Sequence, residues 1–139
     1  MDYSTLASIA QQARANSYSP YSGFRVGAAL LGADGQVFTG CNVEISSLAL
    51  TVCAERVAIF KAYSEGVRSF RAIAVAASGP GFTAPCGACR QVLSDLAGTI
   101  DVILVGESGA QKVLTTTDLL PHPFGPENLR RLHDHSDTP

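Results

Sequence analysis

Two cysteines three residues apart, in Cys86-Gly87-Ala88-Cys89, stand where a helix is expected to begin, which puts both sulfurs on one helical face. Such a pair is a common half of a tetrahedral metal site. On its own it leaves three readings open: metal ligands, a redox dithiol, or two packed core thiols. Cys53-Ala54-Glu55 lies at a second expected helix start and offers a third thiolate, provided the two helices lie side by side. Three protein ligands leave one tetrahedral position for water, the arrangement of catalytic rather than structural zinc, and zinc suits thiolate ligands. Both helix N-termini would point partial positive charge at the sulfurs and favour their ionised form. Glu55 is two residues from Cys53 and so off its face, which makes it a poor co-ligand and a better base beside that water. Three thiolates around a divalent cation leave one negative charge in excess. Arg56, three residues from Cys53 on the same face, is the candidate to offset it by hydrogen bonding to sulfur, whereas Arg90 reads as a surface arginine.

The fourth cysteine, Cys41, ends an apolar run and is expected to pack as a small buried side chain. Were it a fourth ligand, the zinc would be closed and structural, and the protein a binding or scaffold module rather than an enzyme.

These residues have to be carried by regular elements. Leu6, Ile9, Ala10 and Ala13 recur at helical spacing over about 4–18, with Asp2 or Ser4 as cap and Pro20 beyond the end. Runs 24–31 and 37–41 flank Gly32-Ala33-Asp34-Gly35, a hairpin signal in which Asp-Gly tolerates positive φ. A helix is expected from near Cys53 to Glu65, stopped by Gly66, and a buried strand over 70–77. After the Gly79-Pro80-Gly81 loop, Pro85 introduces a helix over 86–97 that Gly98 stops. Two further strands, 101–105 and 112–115, precede short helices near Leu119 and Asn128 and a polar tail. The expected fold class is α/β: a mixed five-stranded sheet between helices, in three α/β/α layers.

With 139 residues the chain is expected to form a single domain, 1–139, with 128–139 as the tail. A composition 46% hydrophobic and 16% charged excludes a disordered segment. Ten Lys and Arg against 12 Asp and Glu, with no basic run, argue against a nonspecific polyanion binder. The longest apolar stretches fall short of the ~20 residues that span a bilayer. The opening MDYSTLASIA has no basic segment followed by a long apolar one, so no secretory signal is expected and the cytoplasm is the expected location. His122, His133 and His135 receive no role, and the last two fall in the tail expected to be poorly ordered.

Cys53-Ala54-Glu55-Arg56 with Pro85-Cys86-Gly87-Ala88-Cys89-Arg90-Gln91 resembles the short, three-cysteine form of the cytidine deaminases. The likeness extends over Tyr18-Ser19-Pro20-Tyr21-Ser22, Phe24-Arg25-Val26-Gly27-Ala28-Ala29, Gly40-Cys41-Asn42-Val43-Glu44, Ser64-Glu65-Gly66, Leu119-Leu120-Pro121 and Phe124-Gly125-Pro126. It implies one zinc per chain on Cys53, Cys86 and Cys89, and hydrolytic deamination of cytidine and 2'-deoxycytidine. Glu55 would be the proton carrier in that reaction. It also implies that Phe24, Asn42, Val43, Glu44, Ala54 and Phe124 form the nucleoside site, with Asn42 and Glu44 on the ribose hydroxyls. Val43 between those two would point into the core by strand alternation. The family's short members are homotetramers with shared pockets. No nucleic-acid or membrane partner is implied.

One stretch departs from the family pattern. Ile45-Ser46-Ser47-Leu48 replaces an Asn-Ala-(small)-Tyr segment that in relatives reaches a neighbouring subunit's pocket, a change that would admit a cytosine nucleoside substituted on the base or on N4. A deaminase of another aminated heterocycle, including a cytosine-bearing antibiotic, is the second enzyme reading, and the presence of Asn42 and Glu44 favours a nucleoside.

Overall fold

The computed structural model describes residues 1–134. Its elements run α1 (Tyr3–Ala13), β1 (Val26–Gly32), β2 (Val37–Cys41), α2 (Ala54–Ser64), β3 (Phe70–Ala77), α3 (Gly87–Ala97), β4 (Asp101–Val105), β5 (Gln111–Thr115), α4 (Thr116–Leu119) and α5 (Pro126–Asp134). The five strands form one sheet in the order β2-β1-β3-β4-β5, in which β3 and β4 are parallel and the other neighbours antiparallel. The parallel pair is joined through α3, as a crossover between parallel strands requires.

Both faces of the sheet are apolar because small and branched residues alternate along its central strands. On one face Ala29, Leu31, Ala72, Ala74, Ala76, Ile103 and Val105 bury Leu6, Ala7 and Ala10 of α1. On the other, Ala28, Leu30, Phe38, Ile73, Val75, Val102 and Leu104 bury Ala54, Ala58, Ile59 and Ala62 of α2 and Leu93 of α3. This is the expected three-layer α/β/α arrangement. The helices approach closely at two glycines: a Cβ on Gly27 would lie 2.2 Å from the Ala10 carbonyl oxygen, and one on Gly40 would lie 2.4 Å from that of Ala54.

Local signals set the helix ends. Asp2 caps α1 by accepting from the Thr5 amide at 2.8 Å. Gly66 ends α2 at φ 87°, with the Val67 amide donating to the Ala62 carbonyl at 3.0 Å.

The departures from expectation have nonlocal causes. The first helix stops at Ala13, with one 3-10 turn after it, because Tyr18 is drawn into extended pairing with the chain beyond β2. Its amide donates to the Asn42 carbonyl at 3.0 Å, and its carbonyl accepts from the Glu44 amide at 2.8 Å. β1 begins at Val26 instead of Phe24, since the Asn42 side chain takes the Phe24 carbonyl at 2.7 Å and the Val26 amide at 2.9 Å. In the hairpin only Gly35 adopts positive φ, at 92°, while Asp34 accepts from the Gln36 amide at 3.0 Å. Residues 128–134 of the expected tail belong to α5. His135 lies outside the described residues.

Candidate active site

Cys53 and Cys86 are the residues immediately before α2 and α3, in extended conformation, and neither side chain caps its helix. Their sulfurs turn toward each other instead, 3.8 Å apart although 33 residues separate them in the chain. Cys89, one turn into α3, places its sulfur 3.5 Å from that of Cys86. All three sulfurs lie within 4.8 Å of one another, Cys89 fully buried and Cys86 exposed.

A tetrahedral zinc with metal–sulfur bonds of about 2.3 Å sets its sulfurs about 3.8 Å apart, so the donor set and its spacing fit zinc with one vertex to spare. Cys41 is half-buried and outside the cluster, which removes the closed four-cysteine alternative.

The electrostatics favour ionised sulfur. The neighbouring Cys89 thiol, then the Arg56 guanidinium, hold the Cys53 thiol down to about 5. Its closeness to Cys53 and its burial push Cys89 the other way, so in the metal-free cluster ionisation is favoured at Cys53 over Cys89. Arg56 donates from Nη2 to the Cys53 sulfur and to the Thr51 carbonyl, both at 3.4 Å. Glu55, in the first turn of α2, is 4% exposed. Burial raises its pKa above the ordinary carboxylate value, and the neighbouring Cys53 charge adds to the effect.

A cavity of about 200 Å³ opens onto this cluster. Its polar lining comes from Asn42, Thr51, Cys53, Glu55, Thr83 and Cys86, and its apolar walls from Phe24, Val26, Val75, Ala77 and Ala84. Of the residues singled out in the sequence, Phe24, Asn42, Cys53, Glu55 and Cys86 therefore meet at one opening, with Cys89 and Arg56 bonded to the cluster.

Others stand back from it. Ala54 is fully buried beneath the first turn of α2, and Phe124 is 60% exposed, with its carbonyl held by Gln91 at 2.8 Å. Val43 does not point into the core: it is half-buried, whereas Asn42 and Glu44 on either side are buried, because Val43 lies in the pairing between Tyr18 and Val52. Glu44 is enclosed by the 21–22 turn, accepting from the Tyr21 amide at 3.0 Å, the Ser22 amide at 3.1 Å and the Ser22 hydroxyl. Ile45 and Leu48 are exposed and do not line this chain's own cavity.

Arg90 is not a free surface arginine. It bonds the Pro85 carbonyl at 2.8 Å and the Leu119 carbonyl at 2.9 Å, bracing the entry to α3.

Thr51, Thr83 and Ala84 had no sequence signal beyond lying near the ligand cysteines. Val26, Val75 and Ala77 read simply as strand residues.

Residues 1–106 match the family model described as the cytidine and deoxycytidylate deaminase zinc-binding region. A cytidine deaminase of Sporosarcina psychrophila is 48% identical over 130 residues, covering 93% of this chain and 96% of that protein. One from Mycobacterium tuberculosis is 41% identical over 131 residues, covering 94% and 96%. The crystal structure of cytidine deaminase from Burkholderia pseudomallei superposes with a TM-score of 0.87 at 48% identity, covering 89% of this chain and all of that one (100%). A fold, a thiolate cluster with a buried glutamate, and relatives alike over nearly their whole length all point the same way, and the chain belongs to the zinc-dependent cytidine deaminases.

Proposed function

We propose that the chain converts cytidine and 2'-deoxycytidine to the uridine forms with release of ammonia, on a site made of Cys53, Cys86, Cys89 and Glu55. The observation that carries this reading is the buried Glu55 carboxyl at the cavity floor beside three converging sulfurs. Zinc, when bound by the three thiolates, supplies the Lewis acidity that makes water a nucleophile at neutral pH.

Glu55 does the proton work. Its carboxylate accepts a proton from the attacking water as oxygen bonds to C4 and delivers it to N3, then takes the remaining proton from the new C4 hydroxyl and passes it to the exocyclic nitrogen as the C4–N4 bond breaks, the C4 carbonyl forms and ammonia leaves. A raised pKa suits a group that must hold a proton and give it up again near neutrality. Burial keeps bulk water from competing for that proton. Arg56 offsets the excess negative charge of three sulfurs.

Nucleoside recognition follows from counting free hydrogen-bonding groups. Both lone pairs of Asn42 Oδ1 are taken, by the Ser17 hydroxyl and the Val26 amide, and one Nδ2 proton goes to the Phe24 carbonyl. One donor remains. Three of the roughly four acceptor positions of the Glu44 carboxylate are filled, which leaves one acceptor on Oε2. A single sugar hydroxyl, accepting from Asn42 and donating to Glu44, satisfies both, while Phe24 packs on the base or sugar.

The working form is a homotetramer in the cytoplasm. Leu48, Leu50, Phe60 and Phe124, at 64%, 66%, 47% and 60% exposure, support burial between subunits. Three free thiols for zinc suit a reducing compartment. A monomer at micromolar concentration by light scattering would contradict the tetramer.

The test of the chemistry is ammonia release from cytidine beside Glu55→Gln, with zinc determined on both samples. The variant is expected to keep its zinc and to lose turnover by about 10²–10⁴-fold. Retained turnover would remove Glu55 from the mechanism.

A further inference from the structure

The turn that follows Pro20 makes contacts that the deamination chemistry does not call for. The Ser22 amide and hydroxyl both bond the Glu44 carboxylate, one to each oxygen, and the same hydroxyl oxygen accepts from the Phe24 amide at 3.0 Å. Gly23, at φ 69° and bonded to the Ser19 carbonyl at 3.0 Å, holds the turn closed. Ser22 itself is exposed and lines no part of the cavity.

We infer that Ser22 is a positioning residue for nucleoside binding: its hydroxyl, itself held by the Phe24 amide, fixes Oε2 of the Glu44 carboxylate, so that the sugar-reading acceptor keeps its orientation. The inference rests on the reading of Glu44 as a sugar contact.

Its physical basis is bond counting. Without the Ser22 hydroxyl, Glu44 Oε2 has no partner among the described residues and the Phe24 amide loses its acceptor. The carboxylate is then held only through Oε1, by the Tyr21 and Ser22 amides, and can swing about that edge. Ser22 therefore matters in proportion to how much of the substrate's binding passes through the sugar hydroxyl, and it has no path to the proton transfers at Glu55. The low pKa of Glu44, due first to the Ser22 hydroxyl, agrees with a carboxylate kept ionised and oriented.

The experiment measures kcat and KM for wild type, Ser22→Ala, Ser22→Thr and Glu44→Ala on cytidine and on 2',3'-dideoxycytidine, which keeps the 5'-hydroxyl but lacks both hydroxyls on the ring carbons, where the Asn42–Glu44 pair is read to bind. Ser22→Ala is expected to raise KM for cytidine roughly tenfold while kcat stays within about twofold, and to change kcat/KM for the dideoxynucleoside by less than about twofold. Ser22→Thr, which keeps the hydroxyl, is expected to restore the wild-type KM. Equal losses on both nucleosides, or no change on cytidine, would overturn the inference, since a merely structural role affects both substrates alike. Glu44→Ala separates the two levels of the argument. If it penalises only cytidine while Ser22→Ala is silent, the positioning role alone fails; if it is blind to the sugar, the sugar contact fails and the role of Ser22 with it. Ser22→Gly serves as the hydroxyl-free variant should Ser22→Ala not fold.

Discussion

Gly40→Ala probes how α2 is held against the sheet and, through α2, how Cys53 and Glu55 are placed. A Cβ at Gly40 would lie 2.4 Å from the Ala54 carbonyl oxygen, 2.7 Å from the Ala58 amide nitrogen and 3.2 Å from the Val57 Cβ. Two of these atoms are helix backbone, which no rotamer change can remove. A carbon meets a carbonyl oxygen comfortably at about 3.4 Å, so the first turn of α2 must retreat by roughly 1 Å. Overpacking of this kind costs about 1–3 kcal/mol. The turn that retreats is the one that carries Glu55 and follows Cys53, and a misplacement of ~1 Å at reacting groups costs on the order of 10²-fold in rate. Gly27→Ala is the matched control: its Cβ meets the Ala10 oxygen at 2.2 Å and the Arg14 nitrogen at 2.3 Å, so it displaces α1 on the opposite face. Both variants are expected to unfold at lower denaturant concentration than wild type. Only Gly40→Ala should also lose zinc occupancy and kcat/KM per folded molecule, read from metal content and ammonia release on the same preparation. A Gly40→Ala protein with wild-type activity and zinc would refute the claim that this contact places the catalytic turn. Equal activity losses in the two variants would refute the claim that the effect is local to α2.

Further outcomes follow from individual contacts. In the metal-free protein the neighbouring Cys89 and Arg56 hold the Cys53 thiol down to about 5, against an ordinary 9.0. A depressed folded value contributes stability that is full above pH 9 and is lost as pH falls toward 5, so the advantage of the wild type over Cys53→Ser should grow as pH rises from about 5 to about 9 and shrink as pH falls; a flat gap would show that Cys53 is not the thiolate. Arg90→Ala removes the bonds to the Pro85 and Leu119 carbonyls and should lower unfolding stability by about 1–3 kcal/mol, measured by denaturant titration, with a faster loss of zinc to chelator. Cys41→Ser should leave both zinc content and turnover unchanged, because Cys41 stands outside the sulfur cluster; loss of zinc would make it a ligand.

Much of this protein is written in short stretches of chain. The start of α1 and the ends of α2 and α3 are decided within a few residues, where Asp2, Gly66 and Gly98 act as local reading suggests. The apolar runs that become β2, β3 and β4 have the bounds their composition implies. The pairing of Cys86 with Cys89 is equally local, since three residues along a helix restore the same face. Arg56 bonds Cys53 for the same reason.

What lay beyond the sequence was decided by contacts between distant segments. Cys53 reaches Cys86 because α2 and α3 pack side by side on one sheet face, an outcome of strand order that no window of residues contains. Asn42, rather than strand propensity, decides where β1 begins, by substituting its amide for a ladder partner. The Tyr18 pairing both shortens α1 and turns Asn42 and Glu44 inward, with Val43 left between them. Thr51, Thr83 and Ala84 became cavity wall only when the loops before α2 and α3 met. Spacing along a chain reports which side chains share a face of one element, whereas a site built from several elements depends on which faces are buried against one another, and that is settled by the packing of the whole sheet.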